Sequence, residues 1–143
     1  MPDTDRNPDR LALAIYWLTL GVTALLAIYG AGWLGMFVAA RFGGWTAAPF
    51  GLELINILDH AGRGIQFLFF AILACAAAAS ILLVRKHRLA VYAIGTGMGL
   101  HLVVWFMLLG NPYFSGRPGY VVLPLEGVLL AMSIMLKRRG ILR

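Results

Sequence analysis

The chain has 143 residues, is 61% hydrophobic and only 13% charged, and carries a formal net charge of +6. A soluble domain carries about a quarter charged residues, so this composition, with a mean hydropathy of +0.83, excludes one and points to a polytopic membrane protein. The basic residues flank apolar runs, where topology explains them without nucleic acid as a partner, and a lone cysteine, Cys75, excludes a disulfide framework or thiolate cluster within one chain.

Residues 1–10, MPDTDRNPDR, are polar with two prolines and read as a short disordered tail. Residues 11–40 follow without a charge. A signal peptide has an apolar core of only roughly 7–15 residues, so this run reads as the first transmembrane helix. At 1.5 Å per residue it would measure about 45 Å, against a hydrocarbon core of about 30 Å, so it must tilt, kink or project. Gly30, Gly32 and Gly35 offer places for a bend, and Ala27, Ala31 and Gly35 form a small-residue row that would admit another helix closely.

Residues 41–51, RFGGWTAAPFG, break the pattern, with Trp45 suited to the interface. Polar side chains then gather in residues 51–66, GLELINILDHAGRGIQ. Glu53, Asn56, Asp59, His60, Arg63 and Gln66 recur at spacings of three and four, so a helix would carry them on one face. This predicts a short interfacial amphipathic helix, about residues 52–61, ahead of a second span over 65–84. The RKHR turn at 85–88 leads to a third span over 89–109, where Gly95 and Gly99 make a GxxxG pair. Residues 110–119 are turn chemistry, and a fourth span over 120–136 is stopped by Lys137, Arg138 and Arg139. The expected fold is an all-α, four-helix transmembrane bundle, one domain over residues 11–143.

With the N-terminus cytoplasmic, that side holds Arg6, Arg10, Arg85, Lys86, Arg88, Lys137, Arg138, Arg139 and Arg143, and the other side holds Arg41, Arg63 and Arg117. The positive-inside rule therefore predicts both termini in the cytoplasm and residues 51–66 at the outer surface. Ten of the twelve basic residues are Arg, and Ala and Gly are abundant, which fits a GC-rich bacterial genome and an inner membrane.

Two ionisable residues lie within the spans. His101 falls about 12 Å from the outer end of the third helix and Glu126 about 9 Å into the fourth. The two spans are antiparallel, so the residues reach similar depth. A charge near the bilayer centre costs at least ~2.5–3.5 kcal/mol, and such residues face the bundle and find partners. The pair reads either as a proton relay or ligand site or as a polar fastening of helix register, with Arg63 and Gln66 above it if the Gly62–Gly64 break turns that face inward. Gly97, His101 and Trp105 share a stripe, in which glycine would leave room for a flat ligand beside the imidazole. Asp59 and Arg63 are spaced as an i, i+4 ion pair.

His60 and His101 meet the minimum for axial ligation of haem b, but they differ in depth by two or three helical turns, which argues against a shared haem. Glu53, Asp59 and His60 lack an HExxH or comparable motif, so no metal site is expected. No nucleophile elbow, phosphate loop or dinucleotide fingerprint occurs either. At this size the first expectation is a non-enzymatic accessory or assembly subunit, or a homo-oligomer, with its outer polar cluster meeting a membrane-protein partner or lipid. Two readings compete with it: a proton-coupled small-molecule transporter or channel acting as an oligomer, and a quinone- or haem-binding redox subunit.

Overall fold

A computed structural model describes residues 8–44, 54–114 and 116–143. They form four helices, α1 (Pro8–Phe42), α2 (Leu54–Val84), α3 (Ala90–Leu108) and α4 (Arg117–Arg138), with no strand among the described residues. Each helix includes a segment long and apolar enough to cross a membrane. The chain is thus an all-α, multi-pass membrane protein. Residues 1–7 of the polar tail, Trp45, Leu52 and Glu53 lie outside the described residues.

Helix starts follow local chemistry. α1 begins at Pro8, inside the stretch read as a tail, because proline in a first turn lacks an N–H that would be unsatisfied anyway. α4 starts at Arg117, three residues before the expected Tyr120, with Pro118 in its first turn. The interfacial helix and the second span are joined as α2 across a kink at Gly62, whose φ of 71° and ψ of 165° fall where glycine alone is comfortable.

The four helices make a ring. Each packs on its sequence neighbours and α1 closes onto α4, while among the described residues α1 and α3, and α2 and α4, do not meet across the centre. The two ends of the ring differ. At the near end, where α1 starts and α4 finishes, Tyr16, Leu83, Ala90, Leu129, Leu136 and Leu142 form a closed core. The Tyr16 hydroxyl donates to the Leu83 carbonyl at 3.0 Å. Thr19, Thr23 and Ser133 are buried there too, each hydroxyl returned to a carbonyl of its own helix. Small hydroxyl residues of this kind allow helices to approach in lipid, where apolar burial gives no drive for association.

The chain end is also fastened at this level. The Arg88 N–H donates to the Arg143 carbonyl at 2.8 Å, and the Arg143 N–H to the Lys86 carbonyl at 2.7 Å.

At the far end the ring formed by the described residues is hollow. Along α1 no residue between Thr23 and Ala40 is buried. The small row Ala27–Ala31–Gly35 does not meet another helix closely, since a Cβ on Gly35 would find open space. The GxxxG pair is used only in part: Gly95 faces Leu130 of α4 at ordinary contact distance and Gly99 faces open space, while Gly97 between them meets α2, where an added Cβ would lie 3.2 Å from the Cys75 Cβ. Cys75 thus fills the room expected for a ligand at Gly97. Helix lengths are unequal as well. α1 has 35 residues and α3 has 19, about 52 Å against about 28 Å at 1.5 Å per residue.

Candidate functional site

The hollow far half encloses a cavity of about 620 Å³ bounded by all four helices. Its size is within the roughly 300–1,000 Å³ range of small-molecule sites. α1 contributes Tyr29, Trp33 and Phe37 at i, i+4 and i+8, and α2 contributes Phe69. These rings meet edge to face: Tyr29 and Trp33 centroids are 6.1 Å apart at 81°, and Phe37 and Phe69 are 5.6 Å apart at 88°. Tyr29 and Phe70 line the cavity yet remain about half-exposed on the helix surface, so among the described residues the wall is open sideways as well as at its end.

His101 and Glu126 lie on the α3 and α4 walls. The imidazole Nδ1 and the Glu126 Oε1 are 3.0 Å apart, with the side chains 26% and 14% exposed. One helical register on each side produces this meeting: the antiparallel neighbours bring two polar residues to one depth, and each is the other's nearest means of escaping apolar surroundings. The second carboxylate oxygen, Oε2, is buried and has no hydrogen-bond partner among the described residues. Whether Nδ1 or Oε1 carries the shared proton, Oε2 stays an acceptor. An unpaired buried acceptor costs about 1–3 kcal/mol, more if charged.

Trp105 forms part of the wall one turn toward the far end. Its indole N–H donates to the Gly116 carbonyl at 2.9 Å, and its ring meets Tyr120 at 5.2 Å. The indole fits only because residue 119 is glycine, since a Cβ there would collide with the ring. Trp105 is thereby held by the α3–α4 connection.

The kink at Gly62 decides where the polar face of residues 54–66 goes. Arg63 and Gln66 line the cavity, and so does Asp59. Asp59 does not pair with Arg63 as an unbroken helix would require. It accepts from the Arg41 guanidinium of α1 at 3.0 Å, because the non-helical Gly62 between Asp59 and Arg63 breaks the i, i+4 register. Both partners are more than half exposed, so this pair adds little stability and acts mainly to tie two helices at the mouth. Arg63 is exposed and has no ion-pair or hydrogen-bond partner among the described residues.

His60 goes elsewhere. Its Nδ1 lies 3.1 Å from the Asn56 carbonyl oxygen, its ring packs on Tyr113 at 4.9 Å, and it is not part of the cavity wall. His60 and His101 are therefore not brought to one cavity for a haem. No group of three His, Cys, Asp or Glu able to hold a metal occurs among the described residues.

Three contributors escaped the sequence reading. The Tyr29, Trp33 and Phe37 ladder was legible as an i, i+4, i+8 aromatic stripe, and its direction awaited the packing of α1. The Arg41–Asp59 bond and the Asn111 side-chain N–H donated to the Ile57 carbonyl at 3.2 Å join segments far apart in sequence, which no local spacing signals. Compared with protein-family models, curated proteins and solved structures, the chain matches none.

Proposed function

We propose that this chain is a small, non-enzymatic, multi-pass membrane protein that binds a small lipophilic molecule in the far half of its bundle. The observation that carries the reading is the His101–Glu126 pair set in the wall of an aromatic cavity, with one carboxylate oxygen left as an open acceptor. An assembly subunit has no need of such a site, so binding takes precedence over the accessory role. The closed core at the near end favours holding a ligand over passing it straight through.

The basic residues orient the protein. Both termini lie in the cytoplasm of a bacterial cell and the cavity opens toward the outer leaflet, as the asymmetry of Arg and Lys favours. A ligand then enters from the outer side, by the mouth or between the half-exposed wall residues.

The test uses N-phenyl-1-naphthylamine, whose fluorescence rises in an apolar site, with the protein in phosphatidylcholine nanodiscs. Val122 lines the cavity one turn from Glu126. Val122→Trp should remove most of the saturable signal at unchanged secondary structure. A saturable signal of equal size and affinity in this variant would overturn the reading.

A further inference from the structure

We infer that the ligand class of this cavity is a lipophilic organic cation, an inference that rests on the binding role just proposed. Glu126 is the group that would meet it. Its Oε2 is buried, unpartnered and an acceptor in either arrangement of the proton shared with His101. A neutral alcohol or amide would satisfy that oxygen with one hydrogen bond. A cation would in addition use the rest of the wall, because the faces of Tyr, Trp and Phe attract positive charge, and most strongly where water is excluded. Tyr29, Trp33, Phe37, Phe69 and Trp105 supply those rings.

The charged groups facing the cavity bear this out from every helix. From α1 comes Arg41 and from α2 come Asp59 and Arg63, while α3 gives His101 and α4 gives Glu126. Arg41 is already matched by Asp59 at 3.0 Å. With the shared proton on Nδ1 of a neutral imidazole, Glu126 carries the negative charge that attracts a cation, and exposed Arg63 opposes it. Gly97 is level with Cys75, which sets His101 level with about Ala71, so Arg63 lies near the mouth about 12 Å farther along the axis at 1.5 Å per residue. A cation touching the Glu126 carboxylate at about 4 Å is therefore attracted about three times more strongly than Arg63 repels it, even before water screens the exposed guanidinium. The near charge wins.

Tetraphenylphosphonium and tetraphenylborate share a shape and differ in the sign of charge. Each is titrated into the naphthylamine-loaded protein in nanodiscs, and only displacement lost in Val122→Trp is counted, which removes simple partition into lipid. The phosphonium should displace the dye at least tenfold more tightly than the borate, and Glu126→Gln should bring that ratio close to one. Equal affinities in the wild-type protein, or tighter borate, would overturn the cation assignment while leaving the binding role intact. A dye signal indifferent to Val122→Trp would overturn both. The wild-type comparison needs no variant of Glu126, so a Glu126→Gln protein that fails to fold does not rescue the proposal.

Discussion

Glu126 and His101 form an unequal bargain at the level of single residues. Oε1 has its partner and Oε2 has none, so removing the imidazole leaves two acceptors unanswered where there was one. His101→Ala should destabilise the bundle by about 1–3 kcal/mol. The double variant His101→Ala/Glu126→Leu should be less destabilised than His101→Ala alone, because replacing both partners by apolar groups removes the unsatisfied acceptor altogether. Reversible unfolding in mixed micelles measures both, and a double variant weaker than the single would contradict this account. The depth match of this pair was legible in the sequence, since two polar residues in adjacent antiparallel spans at equal depth have few other partners. The open Oε2 was not, because satisfaction of the second oxygen depends on which rings and chains line the opposite walls.

Gly62 sets the behaviour of α2 as an element. The GRG stretch announced a break, and the break is there, but its angle is a matter of one torsion pair that sequence does not specify. That angle sends Arg63 and Gln66 toward the cavity and Asp59 toward Arg41. An alanine at this position would carry a Cβ in a positive-φ conformation costing about 1–3 kcal/mol, relieved if the helix straightens. Gly62→Ala should therefore break the Arg41–Asp59 tie and lengthen the distance between spin labels placed at residues 38 and 60 in a Cys75→Ala background. An unchanged distance distribution would show that the kink is held by its tertiary contacts. Cys75→Ala itself keeps the Cβ that meets Gly97, and so leaves the α2–α3 approach in place.

The whole molecule is a ring sealed at one end and hollow at the other, and only part of that plan was readable. Spans, their number and their turns followed from hydropathy and charge, since the absence of water in a bilayer forces each apolar run of this length into a helix. Which small-residue row packs was misread, because rows at Ala27–Ala31–Gly35 and Gly95–Gly99 look alike in sequence to the positions that are used, Gly97 against Cys75 and Gly30 against Leu73. Spacing reports what a helix offers and not which neighbour accepts.

The unequal lengths of α1 and α3 bear on where water stops. Tyr16 fixes α1 level with Leu83 at the near end. Counting up from there at 1.5 Å per residue, α3 ends level with about Leu34, and Phe37, Arg41 and Phe42 rise about 5–12 Å higher. The cavity therefore has a collar whose immersion depends on bilayer thickness, with mismatch met by tilt and local thinning. Under the proposed binding role, ligand arrives from solution in short-chain lipid, where the collar stands in water, and through the membrane in long-chain lipid, where the collar is submerged. A variant with Trp33 as its sole tryptophan should be quenched by aqueous acrylamide progressively less as acyl chains lengthen from 14 to 22 carbons around the usual core of about 30 Å, so that under the proposed role the host membrane itself selects the route of entry.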